Sequence, residues 1–198
     1  MYSNSPGNRQ LFKSKVLSIT KIVLLVVSLL IISGCDTGVN PDKSEVEDIK
    51  IYFSPADKCD EKVMALIDNA NQELHIAVYS FNRKPISDAV IRAYKRGVEV
   101  KVVFDESQLS GPNSRQTDLQ NEGIAVKKDN PRGNSLSQMH NKFAVIDKHI
   151  VITGSYNWTT NATTNNDENL VVITSHSVAA TYNTEFERIW AESKELDA

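Results

Sequence analysis

The 198-residue sequence predicts an α/β fold, a layered α-β-α arrangement around a central mixed sheet. Three observations carry this. Short β-branched runs alternate with segments of helical apolar spacing from residue 49 to the C-terminus. One run, Leu74 to Tyr79, is nearly all apolar, as expected of a strand covered on both faces. Two consecutive runs, Phe143 to Ile146 and His149 to Thr153, are separated only by Asp147-Lys148, which makes at least one strand pair antiparallel.

The elements follow in order. Ile49 to Phe53 is a short strand closed by Ser54-Pro55. Val63, Leu66, Ile67 and Ala70 fall at i, i+3, i+4 and i+7, the apolar stripe of a helix. After the Leu74–Tyr79 strand, Pro85 opens a second helix, where its missing N–H costs nothing. Ile86, Ala89, Val90 and Ala93 are its buried stripe and Gly97 its C-cap. Val98 to Phe104 is a strand, 105–113 a polar loop, Arg115 to Glu122 a short helix, and Ile124 to Val126 another strand. Lys127 to Gln138, rich in Asn, Ser and Gly, is a loop. Beyond the strand pair, Thr159 to Asn166 is a polar loop and Leu170 to Ile173 a strand. Val178, Tyr182, Phe186, Ile189 and Trp190 line a final helix.

The N-terminus has a different composition. Residues 1–34 hold Arg9, Lys13, Lys15 and Lys21 and no acid, followed by an apolar run, Ile22 to Ile32. That run is too short to span a bilayer, which takes about 20 residues, and fits the apolar centre of a signal peptide. It ends in Ile32-Ser33-Gly34-Cys35, which resembles the bacterial lipobox. The resemblance implies cleavage before Cys35, lipidation of that cysteine, and a mature chain exported to the cell envelope and tethered to a membrane facing the periplasm or exterior. Asp36 points, on the same resemblance, to the inner membrane. The expected organisation is a signal peptide (1–34), a polar tether (35–46) and one domain (47–198). Lipidation would leave Cys59 as the second of two cysteines, a buried inert thiol, so neither a disulfide framework nor a cysteine zinc site is expected.

Charge limits the partners. Without residues 1–34, 18 basic and 25 acidic residues remain, a charge of −7. A polyanion would therefore be held by a local cluster and not by a global basic field. Arg83, Lys84, Lys127, Lys128 and Arg132 are candidates for such a path, with a solvated surface as the plain alternative.

The chemistry concentrates between His140 and Asn169. His140, Lys142 and Asp147 follow H-x-K-x4-D, and Gly154, Ser155 and Asn157 follow at G-S-x-N spacing. A neutral imidazole is a good nucleophile toward phosphorus. Lys142, Ser155 and Asn157 supply a cation and hydrogen-bond donors for a phosphate oxygen. Asp147 or Glu168 could fix the His140 tautomer, with the alternatives that Asp147 only pins the turn after its strand and that Glu168 only hydrogen-bonds a loop. Trp158 either stacks on a base or packs the core, His75 in its apolar run reads as core, and His149 and His176 read as surface or strand-edge positions.

This block resembles the HKD motif of the phospholipase D superfamily, most nearly its small single-motif nucleases. The likeness runs from about Ile51 to Trp190 and includes YFSP, IAVYSF, RGVEVKVVFD, MHNKFAVID, TGSYNWT, NDEN and EFERIW. It implies a phosphohistidine intermediate on His140, with a second histidine protonating the leaving oxygen. The chain carries one such motif, because neither His75 nor His149 nor His176 has a lysine two residues on. A homodimer pairing two copies of His140 is therefore expected. No metal-binding spacing accompanies the site, and neither metal nor other cofactor is expected. The expected substrate is nucleic acid, cut without sequence preference. A phospholipid headgroup is the alternative, and a non-catalytic binding lipoprotein the reading from a different class.

Overall fold

The structure, a computed structural model, describes residues 46–196 apart from 112 and 135. The expected signal peptide, the lipidated Cys35 and all of the tether except Val46 lie outside those residues. Among the described residues no helix is long and apolar enough to cross a membrane.

Eight strands form one sheet: β1 (Asp48–Ser54), β2 (Glu73–Val78), β3 (Glu99–Asp105), β4 (Ala125–Asp129), β5 (Lys142–Ile146), β6 (Ile150–Gly154), β7 (Glu168–Thr174) and β8 (Lys194–Glu195). Their spatial order is β1-β7-β6-β5-β2-β3-β4-β8. β2, β3 and β4 run parallel, and every other pairing is antiparallel, so the sheet is mixed. All six residues of β2 are buried, as its apolar run requires for a strand with neighbours on both edges and layers on both faces.

Helices cover the two faces unequally. α1 (Cys59–Asp68), α2 (Lys84–Lys95), α3 (Gln116–Asn121) and the five-residue α4 (Thr160–Thr164) are accompanied by the larger core, with Val63, Ile67, Ile86, Val90 and Leu119 against Leu74, Ile76, Val78 and Ile152. α5 (His176–Glu192) alone covers the smaller core of Ala77, Val103, Phe143, Val145 and Val151, into which it sets Phe186 and Ile189. Burying one such side chain contributes about 1.5–3 kcal/mol. His75 points into this second core, stacked on Phe186 at 4.5 Å, with Nδ1 2.7 Å from Asn183 Oδ1 and Nε2 buried without a partner.

Four details differ from the sequence reading. β4 continues to Asp129 instead of ending at Val126. Lys127 keeps a strand position by laying its ammonium 4.6 Å over the Trp190 ring. Thr160–Thr164 is helical and not loop: Thr159 caps it by accepting from the Ala162 N–H at 3.1 Å. Residues Glu106–Gln108 form a 3₁₀ turn capped by Asp105. β8 was not expected, since two charged residues carry no period.

Candidate active site

The C-terminal ends of β2, β3, β4 and β6 and the N-terminal ends of β5 and β7 lie at one end of the sheet. Lys142 is the first residue of β5, paired with Val78. His140 sits just ahead of the strand rather than on it. Two backbone anchors bracket it: the Met139 N–H donates to the buried Asp105 carboxylate at 2.6 Å, and the Tyr79 N–H donates to the Asn141 carbonyl at 2.7 Å. The imidazole itself is exposed and leans on the Tyr79 ring, with centroids 4.4 Å apart. Lys142 Nζ donates to the His140 carbonyl at 2.8 Å and lies 4.9 Å from the centre of the same Tyr79 ring. Tyr79 thus touches both the His140 imidazole and the Lys142 cation. Its hydroxyl accepts from Gln108 Nε2 at 3.0 Å and Gln138 Nε2 at 3.2 Å.

Desolvation first, then the Lys142 charge, hold the His140 imidazole below the ordinary histidine range, with Asp105 pulling the other way. The sign favours a neutral ring with a lone pair to donate. Lys142 is also pushed down, by partial burial, while Glu168 and Asp105 favour its charged form.

Across from them, Gly154 ends β6 at φ 138°, and a Cβ there would run into the Asn169 backbone carbonyl. Only glycine lets β6 and β7 close together at this point. Ser155 follows, and its hydroxyl donates to Glu168 Oε2 at 2.6 Å while accepting from the Asn169 backbone N–H at 3.1 Å. Its one proton is thus committed, and a direct bond from Ser155 to phosphate would have to displace Glu168. Glu168 also accepts from Asn166 Nδ2 at 2.9 Å. Asn157 is half-buried, and its side-chain Oδ1 is buried without a hydrogen-bond partner. The unpaired atom is an acceptor, so it is open to a donor and not to a phosphate oxygen.

These motifs recur in known proteins. The family model described as "Cardiolipin synthase, PLD-like domain" matches residues 63–190. This chain belongs to the phospholipase D-like phosphodiesterase family. It is 35% identical over 136 residues to the mitochondrial cardiolipin hydrolase of Xenopus tropicalis, a match covering 69% of this chain and 63% of that protein. It is 36% identical over 134 residues to a phospholipase D of Rickettsia bellii, covering 68% of this chain and 65% of that protein. The solved structure of the phospholipase D family member Nuc from Salmonella typhimurium superposes with a TM-score of 0.71 at 30% identity, over 76% of this chain and 99% of that one. The chain thus spans somewhat less than two thirds of these two sequence relatives and nearly all of the Nuc chain.

Within this phospholipase D-like domain, one expected site residue lies elsewhere. Asp147 is beyond the far end of β5, roughly 16 Å from Lys142 at about 3.3 Å per residue. Both Asp147 and Lys148 adopt φ 53°, a tight left-handed hairpin turn. The Asp147 carboxylate accepts from the backbone N–H groups of Asn71 at 3.0 Å, Gln72 at 2.7 Å and Glu73 at 3.1 Å, so it ties the entry of β2 to the hairpin. Spacing could not separate this role from catalysis, since the motif's aspartate is defined along the chain and the strand carries it away. Asp147→Ala is expected to lower stability by about 1–3 kcal/mol and to leave kcat within twofold, read by urea denaturation beside a turnover assay.

Other candidates are also placed. Trp158 is buried and meets Phe81 edge-on at 5.2 Å, so it packs the core. Arg83 is bound to Asp60 at 2.7 Å, Lys84 to Asp88 at 2.7 Å, and Lys127 lies 3.4 Å from Glu195. Lys128 lies 3.5 Å from Glu106, and Arg132 is exposed on the loop before His140. The basic path is therefore largely answered by acids. Cys59 is buried, which pushes its thiol up to about 11.

Sequence reasoning missed Asp105 and Tyr79. Asp105 closes the VKVVFD strand and is buried, accepting from Met139 and from the backbone N–H of Ser107 at 3.0 Å. A carboxylate ending an apolar strand was the available signal. Its role is positioning. Asp105→Ala is expected to lower kcat about 10²-fold, as misplacement of a reacting group by about 1 Å does, with KM little changed; steady-state kinetics on the folded variant checks the split.

Proposed function

We propose that this chain is a non-specific endonuclease that cleaves phosphodiester bonds through a covalent intermediate on His140. The observation that carries this reading is the polar rim of the site. Gln108 and Gln138 hold the hydroxyl of Tyr79, whose ring lies beside His140 and Lys142, and Gln108 also lines a cavity of about 130 Å³ with Ser80, Asn82, Asn113 and Ser114. Hydrogen-bonding groups of this kind suit a sugar–phosphate backbone whose bases go unread.

His140, whose neutral form desolvation and Lys142 favour, attacks phosphorus. The N–P bond forms as the P–O bond to the leaving group breaks. Lys142 and the Asn157 amide offset the charge on the non-bridging oxygens. No other histidine reaches this end of the sheet: His75 is in the core, and His149 and His176 are beyond the Asp147 hairpin. The proton for the leaving oxygen is supplied by His140 of the partner subunit in a twofold dimer. Water then cleaves the N–P bond with the partner's imidazole, now neutral, as base. Export and a lipid on Cys35 would place this activity at the cell envelope.

A second reading has its own support. Leu136, 93% exposed, precedes the site, and Phe53, 57% exposed, pairs with Asn169 beside it. Apolar side chains there, with relatives named cardiolipin hydrolase and phospholipase D, suit a phospholipid headgroup. Incubating the full chain in detergent with plasmid, RNA and cardiolipin vesicles, all in EDTA, decides between them. The expected outcome is nicked and degraded nucleic acid with intact lipid and undiminished rate in chelator. Lipid hydrolysis alone would establish the second reading. Activity that EDTA abolishes and metal restores, with the melting temperature unchanged by EDTA, would remove the histidine mechanism.

A further inference from the structure

Three donor groups from three separate elements meet at the end of the sheet away from His140. Glu47 precedes β1, His149 leaves the β5–β6 turn, and His176 opens α5. Their ligand atoms all lie within 4.8 Å of one another. His149 Nε2 is 2.8 Å from Glu47 Oε1, and the two imidazoles stack with centroids 4.1 Å apart.

The surroundings are prepared in two ways. The backbone of this corner is fixed by the sheet: the Glu47 N–H donates to the Thr174 carbonyl at 2.9 Å, the Ser175 N–H to the His149 carbonyl at 2.9 Å, and the His149 N–H to the Ile146 carbonyl at 3.0 Å. Second, His176 Nδ1 lies 3.0 Å from the Lys148 carbonyl. A carbonyl only accepts, so Nδ1 carries the proton and Nε2 keeps its lone pair. This outer bond to a backbone carbonyl is the one metal-ligating histidines make.

We infer that Glu47, His149 and His176 bind one divalent transition-metal ion of the zinc class, with water in the fourth position. Two imidazoles and one carboxylate are a borderline donor set that suits zinc and not calcium or magnesium. Tetrahedral ligands at about 2.0–2.1 Å from an ion sit roughly 3.3 Å apart. Drawing the three atoms in from their present spread of up to 4.8 Å requires the side chains to turn. The side chains have room to do so, since His149 is 31% and Glu47 48% exposed. The ion would clasp the first turn of chain ahead of β1 to the hairpin and to the head of α5. Residues 47, 149 and 176 are too far apart in sequence for spacing to reveal them.

The test is titration of chelator-stripped full chain, in detergent, with Zn²⁺ by calorimetry, alongside thermal melts and the Co²⁺ visible spectrum. The expected result is one ion per chain, a melting temperature that rises with Zn²⁺ concentration, and a tetrahedral Co²⁺ spectrum. His149→Ala and His176→Ala, with folding checked by circular dichroism, should each weaken binding beyond the roughly 10- to 100-fold that loss of an outer partner costs. Absence of stoichiometric binding, or binding that survives His176→Ala, overturns the inference. Turnover is not the readout, so failure here leaves the proposed function standing, and the reverse.

Discussion

Replacing His140 with alanine is expected to abolish turnover, by about 10⁴-fold or more, the scale on which loss of a nucleophile is felt when it acts as one member of a unit. The structure explains why no neighbour compensates. The ring is exposed between two backbone anchors, Met139 to Asp105 and Asn141 to Tyr79. Among the described residues, no other imidazole stands at that end of the sheet. His140→Ala removes an exposed side chain, so its melting temperature should stay near that of the parent, and binding of uncleaved substrate should persist. A binding lipoprotein without catalysis would show no change in product formation, because none would occur in the parent. Single-turnover kinetics with a binding measurement on the same preparation separates these outcomes.

Lys142→Met is the second large effect. Removing one preorganised donor to transition-state charge costs about 10²–10³ in kcat. The same substitution has a second, independent consequence. Lys142 is, after desolvation, the main cause that holds His140 below the ordinary histidine range. Without that charge the His140 pKa rises, so the neutral nucleophile is lost at a higher pH. The acid limb of kcat/KM should lie below the usual histidine value in the parent and move up in the variant. Imidazole titration by NMR reads the same shift without turnover. Lys142→Arg is not expected to rescue, since a delocalised planar fork replaces the compact point charge that lies between the Tyr79 ring and the His140 carbonyl.

How far these features could be read beforehand depends on their range along the chain. The β2 run, the α1 and α2 stripes and the Asp147-Lys148 turn are local patterns, and all are present in the fold. The His140–Lys142 and Gly154–Asn157 groups are local too, and the sheet brings them to one end. What failed was long-range. Asp147 belongs to the motif by count, yet β5 carries it to the opposite end of the sheet, where it serves three N–H groups of residues 71–73. Asp105 and Tyr79 reach the site from the ends of β3 and β2, strands whose meeting with β5 no spacing specifies. Ser155 was read as a phosphate donor, and its committed proton became visible only with Glu168 in place.

The most direct measurement is alkaline denaturing quench of the full chain with a ³²P-labelled dinucleotide or oligonucleotide, followed by mapping of the labelled peptide at alkaline pH. The expected result is acid-labile, base-stable label on the His140 peptide, absent in His140→Ala and formed no more slowly than product. Product that accumulates with no label ever reaching His140 would contradict covalent catalysis by this residue.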